Sequence, residues 1–387
     1  MRVGKTIYLD HQATTPVDPR VFEKMKPFFC DFFGNPHSVE HVMGWEANKV
    51  VEDCCGVIGS LVGGGSSEII FTSGATEANN LAIRGISLGK KRVGKSKIII
   101  SSIEHKSIIE SARNLQLQHG FEVSVLPVSC NGITDIDALE RELGEHVAIV
   151  SIMSINNEIG SIQPLRQISD LCKQHGIVFH TDATQAPTGM NVTDLGEIAD
   201  LISLSGHKMY GPKGIGVLYV SNIFQKDVTP ILCGGYQQNG IRPGTVPVPL
   251  CVGMAAAAEL IMAESAIERE LLRIKRDAFL EKLVQAIPVN VVVNGPDATD
   301  RHPGNANVRI EGINAQDLLL CLQPSVAAST GSACTSGILE ASHVLKAIGL
   351  SEDACNSSIR FSLGRFTSEA DIDEAVRIIR SAYDQVV

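Results

Sequence analysis

No apolar run in this 387-residue chain approaches the ~20 residues that a membrane-spanning helix needs. The apolar centre of a secretory leader is missing too, because Met1 to Lys5 lead straight into the strand-like residues 6–9. Positive charge is not in excess. The formal net charge is −10, which argues against nucleic-acid or anionic-membrane binding as the main activity. There are ten cysteines, yet no two have Cys-x-x-Cys spacing, and a chain of this length needs no disulfide staples. Most of them sit in apolar runs and read as reduced, buried small hydrophobes of a cytoplasmic protein. Internal repeats and low-complexity linkers are also lacking.

What is present is a chain that is 44% hydrophobic, enough to bury a large core. At roughly 100–200 residues per domain, it predicts two or three domains. From about residue 68 to 220, short apolar runs alternate with stretches of helical period. Runs at 97–101, 122–126, 147–153, 177–180, 201–204 and 216–220 read as strands. Residues 106–118, 135–143 and 165–175 read as helices between them. This alternation predicts an α/β fold, with a mainly parallel sheet covered by helices on both faces. A long Ala-rich helix over about 252–287 then leads to a smaller α+β part. There, 289–293, 306–310 and 359–362 read as strands, and 315–321 and 368–384 as helices. The expected boundaries are 16–258 for the large domain, with 1–15 and 259–387 forming the small one.

Polar residues gather just after the apolar runs. His105, Asn156 and Asn157, Asp182 and Gln185, and then Ser205, His207 and Lys208 each follow a predicted strand. Ligands of open α/β sheets bind outside the carboxyl ends of the strands, so these residues would share one rim. Taken singly, each has a bland alternative as a cap or a satisfied core group; the joint placement is what points to a site. Lys208 lies between an apolar strand and a Gly-Pro turn, a setting that desolvates an amine and suits Schiff-base chemistry. Lys213 reads as a decoration of that turn. Asp182 could face a pyridinium nitrogen, or simply cap the next helix. Thr72-Ser73-Gly74-Ala75-Thr76 follows a strand and opens a helix, as anion sites do. Cys334 stands apart among small residues, 327–337, in a segment with little to bury. Arg360 has the planar fork that fits a carboxylate, although alone it reads as a surface ion pair. One match is refused. Gly89 to Ser96 fits the G-x-x-x-x-G-K-S phosphate loop, but a helix precedes it and a strand follows, the reverse of the order that loop needs.

Read together, these blocks resemble cysteine desulfurases of the NifS/IscS type, in the class V branch of fold-type I pyridoxal-phosphate enzymes. The resemblance runs from Tyr8-Leu9-Asp10-His11-Gln12-Ala13-Thr14-Thr15-Pro16 and Gly34-Asn35-Pro36-His37-Ser38 to Gly331-Ser332-Ala333-Cys334-Thr335-Ser336 and residues 357–364. It implies pyridoxal 5'-phosphate as cofactor, joined to Lys208 as a Schiff base. His105 would stack on the ring and handle protons, with Asp182 at the ring nitrogen and Gln185 at the ring hydroxyl. Ala75, Thr76, Ser205 and His207 would hold the phosphate, and Thr245 would reach the phosphate of the other subunit in a homodimer. Asn157, beside the cofactor, and Arg360 would clamp the carboxylate of L-cysteine. Cys334 would be the nucleophile that takes the sulfur and hands it to a protein acceptor. The chain departs from the family at Gln238-Asn239, where Glu-Arg is common, at Pro243, and at Ala186-Pro187-Thr188-Gly189. These departures leave a specialised relative open, such as one that supplies sulfur for DNA phosphorothioation. Selenocysteine lyase and aminotransferase activities are the neighbouring readings.

Overall fold

The computed structural model describes residues 1–331 and 341–387. Its centre is a sheet of seven strands in the order Ile69–Thr72, Gly216–Val220, Leu201–Ser205, Val178–Asp182, Val147–Ser151, Lys97–Ser101, Glu122–Leu126. Gly216–Val220 runs antiparallel to both neighbours, and every other pairing is parallel. The inner strands are buried along their whole length, as Val147–Ser151 and Leu201–Ser205 illustrate. A strand covered by helices on both faces has no polar side to alternate, so it reads as an unbroken apolar run. The predicted strands match these elements to within two residues at each end.

Two apolar clusters fill the faces of this sheet. One packs Phe71, Val150, Phe179 and Leu204 against the helix Val42–Val62. The other packs Ile98, Ile100, Ile149 and Leu218 against the helix Lys106–His119. A third cluster lies elsewhere. It joins Leu272, Phe279 and Leu283 to Ile310, Phe361 and Ile379, beneath the antiparallel sheet Val291–Val293, Asn305–Ile310, Ser358–Ser362.

The helix Val248–Ala286 serves both regions. Its first half enters the core of the large sheet through Cys251, Met254 and Ala257, and its second half enters the third cluster. Here the structure corrects the sequence reading. An eighteen-residue stretch of this helix has a mean hydropathy of 1.6 and is long and apolar enough, by composition, to cross a membrane. The run of small residues at 255–258 raises the average without any long apolar side chain. These alanines are buried in the protein's own core.

The refused phosphate loop has the reversed order expected of it. The helix Ile86–Lys91 runs into its first residues and the strand Lys97–Ser101 follows. Two of its lysines are engaged: Lys90 pairs with Asp227, and Lys91 donates to His119 O. At Gln238 the side-chain amide accepts from Phe71 N at 2.7 Å and donates to Phe71 O at 2.9 Å. Gln238 thus satisfies the backbone on the open edge of the large sheet.

Candidate active site

The four phosphate candidates, Ala75, Thr76, Ser205 and His207, line one cavity of about 690 Å³. Lys208, Asp182, Gln185 and His105 line the same cavity, as do Asn157 and Arg360. Of the strand-end residues expected on one rim, all line this cavity except Asn156, which is buried and uses its side chain on the backbone of Ile103, Glu158 and Ile159. Thr245 does not line it and is exposed. Cys334 lies outside the described residues. Gly331 and His343, on either side of 332–340, both reach the cavity.

Backbone geometry builds the anion end. Gly74 sits at φ 153° and ψ 178°, a conformation open essentially to glycine alone. It leads from the strand Ile69–Thr72 into the helix Ala75–Asn80, whose first residues face the cavity. Gly216 is constrained for a different reason: a Cβ there would lie 2.6 Å from the Gly74 carbonyl carbon.

Lys208 follows the strand Leu201–Ser205 in a single 3-10 turn, Gly206–Lys208. Its amine donates to Ala13 O at 2.8 Å and to Gln12 O. The residue as a whole is half-buried, but the amine itself is poorly hydrated. Burial, then the Arg360 charge, lowers its pKa to about 8, while Asp10 and Asp182 oppose that shift. Lys213 lies exposed on the rim.

Asp182 ends its strand with both carboxylate oxygens in use: Oδ1 accepts from Thr184 N at 3.0 Å and Oδ2 from Asn79 Nδ2 at 2.7 Å. The helix-cap alternative is thus partly right, because the local turn is made, but the carboxylate also lines the cavity. Gln185 Nε2 donates to Gln12 O at 3.0 Å. His105 caps the helix Lys106–His119, its Nδ1 accepting from Ser107 N at 3.1 Å. With Nδ1 engaged as an acceptor, Nε2 is the nitrogen that carries the proton. Burial lowers the imidazole's pKa, and Asp182 opposes the shift. The neighbouring Glu104 is wholly buried, and burial raises its carboxyl well above the usual range.

Arg360 is not the surface ion pair that its isolated sequence suggests. It is 3% exposed and pairs through Nη2 with Asp10 Oδ1 at 2.6 Å. Its Nη1 donates to Asn157 O at 2.8 Å. Four buried polar atoms on the cavity residues, Ser205 Oγ, Thr184 Oγ1, Gln12 Nε2 and Arg360 Nε, lack a partner among the described residues. Unsatisfied groups on a cavity wall are what a polar ligand leaves behind.

Several contributors escaped the sequence reading: Asp10, Gln12, Asn79, Ser107 and His343. Asp10 and Gln12 lie inside a quoted block and Asn79 just beyond another, but only the folded chain shows which side chain or carbonyl faces the site. The cysteine reading also needs correcting. Cys30, Cys130, Cys233 and Cys321 are exposed, so Cys334 is not set apart by exposure alone. They lie at element ends and in turns, where an apolar neighbourhood in sequence does not bury a side chain. The nine described cysteines are all free thiols.

Residues 7–375 match the class-V aminotransferase family. Cysteine desulfurase IscS of Rickettsia typhi is 44% identical over 386 residues, covering 98% of this chain and 92% of that protein. A solved NifS-like protein superposes with a TM-score of 0.91 at 30% identity, covering 100% of both chains. The structure of SspA in complex with cysteine gives 0.81 at 34% identity, covering 93% of this chain and 99% of that one. With its sheet, its rim of strand-end residues and its desolvated lysine, the chain belongs to the class-V aminotransferase family.

Proposed function

We propose that this protein is a cysteine desulfurase, which converts L-cysteine to L-alanine and passes the sulfur to an acceptor protein as a persulfide on Cys334. The carrying observation is the convergence of Lys208, Asp182 and Arg360 on one cavity. The cofactor of this family is pyridoxal 5'-phosphate, and the residues present fit it. Ala75, Thr76, Ser205 and His207 would hold its phosphate, with Ser205 Oγ still unpartnered. Asp182 keeps lone pairs for a ring N–H, and Gln185 lies beside it for the ring hydroxyl. Lys208 supplies the amine. When bound, the group supplies an electron sink.

The chain's own residues then divide the work. Arg360 and Asn157 would orient the substrate through its carboxylate. Lys208, as a free amine with a pKa lowered to about 8, would take the α-proton. His105, with its proton on Nε2, would manage proton transfer on the cavity side. The Cys334 thiolate would attack the substrate sulfur. The carbon–sulfur bond breaks, its electron pair stays with the carbon and is protonated to give alanine, and the sulfur remains on Cys334 as a persulfide. Thiol exchange would pass it on. On this reading the chain divides into 16–258 and the remainder, as the separate apolar clusters support. It would work in the cytoplasm and supply sulfur for iron–sulfur assembly, tRNA thiolation or DNA phosphorothioate modification. It would act as a homodimer, with the exposed Thr245 reaching the cofactor of the second copy. Phe29, Phe32, Phe33 and Trp45 are exposed apolar side chains that such a copy could cover.

The test is direct. Purified protein given L-cysteine should release alanine and carry persulfide sulfur. Sustained amino-group exchange with keto acids, without alanine from L-cysteine, would instead make it an aminotransferase.

A further inference from the structure

We infer that Asp10 is the resident counter-ion of Arg360, and that its charge weakens the cavity's hold on a substrate carboxylate. The inference rests on the reading of Arg360 as the carboxylate clamp.

The geometry of the guanidinium carries the argument. Both hydrogens of Arg360 Nη2 are used, by Asp10 Oδ1 at 2.6 Å and by Ser329 Oγ at 2.8 Å. Ser329 Oγ also contacts Asp10 Oδ1 at 3.2 Å, closing a triangle. Nη1 donates to Asn157 O. Nε is buried and has no partner among the described residues. Two other arginines that hold a carboxylate in partly buried settings behave differently. Arg242 grips Glu77 through Nε and Nη2 together, at 2.8 and 3.2 Å. Arg365 grips Glu268 through the same two nitrogens, at 3.1 and 2.9 Å. That side-on fork is the bidentate way to hold a carboxylate. At Arg360, Asp10 touches Nη2 alone and leaves the Nε half of the fork unfilled.

The guanidinium lines the cavity, and its buried, unpaired Nε–H is the half of the fork that an incoming carboxylate would fill. To complete the fork, it must also take an Nη2 hydrogen now held by Asp10 or Ser329. The newcomer therefore meets a like charge at close range, in surroundings poorer in water than bulk, where repulsion is felt. Asp10 thus performs two opposed tasks. It fixes the position of Arg360 before substrate arrives, and it lowers the affinity for the carboxylate once there. It also offsets the effect of Arg360 on the nearby Lys208 amine.

The experiment uses cofactor-loaded protein and reads binding, not turnover. L-alanine and ethylamine, which differ by the carboxylate, are titrated against the cofactor absorption band. Asp10→Asn keeps an oxygen for Nη2 but removes the charge. It should tighten L-alanine about 3- to 10-fold and leave ethylamine unchanged. Unchanged or weaker L-alanine binding, or a shift shared by both ligands, overturns the inference. Ser329→Ala releases an Nη2 hydrogen without removing a charge, so the ratio of the two affinities should move less than about twofold. A change as large as that of Asp10→Asn would assign the effect to the freed hydrogen and overturn the role of charge. Arg360→Gln separates the two readings. It should abolish the preference for L-alanine; if that preference survives, the clamp itself is wrong, whatever Asp10 does.

Discussion

Asn79 Nδ2 donates to Asp182 Oδ2 at 2.7 Å, and the same nitrogen donates to Ser107 Oγ at 2.9 Å. Ser107 Oγ in turn lies 2.8 Å from His105 Nδ1. One buried amide therefore links the carboxylate proposed for the ring nitrogen to the imidazole proposed for the ring face. Removing it leaves a buried carboxylate oxygen without its donor, a loss of about 1.5–3 kcal/mol for a hydrogen bond to a charged group. Asn79→Ala should weaken cofactor binding by about 10-fold or more, measured by equilibrium dialysis. Asn79→Asp should do worse, because it sets a second carboxylate against Asp182.

Lys208→Ala should give protein with no borohydride-reducible adduct and no alanine production. The wild-type amine also carries a pH signature. With a pKa lowered to about 8, its neutral, reactive fraction grows as pH rises and levels off above that value. Adduct formation by apoprotein should then rise about tenfold from pH 6 to pH 7 and flatten beyond pH 8. A rate still climbing at pH 10 would mean that the amine is as hydrated as an ordinary lysine.

Cys334→Ser should keep normal colour and bind L-cysteine, yet accumulate no persulfide and release almost no alanine. Because Cys30, Cys130, Cys233 and Cys321 are also exposed, they are the controls. Peptide mass spectrometry after reaction should find the added sulfur on Cys334. Sulfur on Cys321 instead would move the nucleophile without changing the class of enzyme.

Acid should destabilise the fold through histidines that are buried neutral. Burial lowers His11 and His180 to about 4 and His302 to about 3. Their folded pKa values lie below the unfolded value of about 6.5, so the unfolded chain binds more protons in between. Stability is whole above about pH 6.5 and drains away as pH falls towards 4. The expected loss is roughly 1–2 kcal/mol per histidine between pH 7 and pH 5, read as a falling urea midpoint. His302→Gln should shallow that slope.

The large sheet was legible because buried parallel strands advertise themselves as apolar runs, and strand-end chemistry follows from them. Residues 97–101, 122–126 and 216–220 were read to the residue. Less legible was whatever depends on chain segments far apart in sequence. Arg360 looked like an exposed strand residue because its partner, Asp10, lies 350 positions away. The pairing of Thr6–Tyr8 with Val326–Ala327 has no local signal at all. Gln238 appeared as the loss of a family charge, and the fold shows it at work on a sheet edge. Asn79 had no reading of its own, since nothing in its neighbourhood names Asp182 as its partner.

The Lys208 amine leans on the carbonyls of Gln12 and Ala13, and these rest on the far end of the chain. Gln12 N donates to Ser362 Oγ at 2.9 Å, and His11 N to Ser362 O at 3.2 Å. On the ribosome, the seven-strand sheet is complete once Gly216–Val220 has emerged, but the amine's supports are not fixed until Ser362 does. The site is therefore finished last. A nascent chain stalled between these points would hold a folded sheet with an unbraced lysine, and it should capture cofactor poorly until synthesis is nearly over.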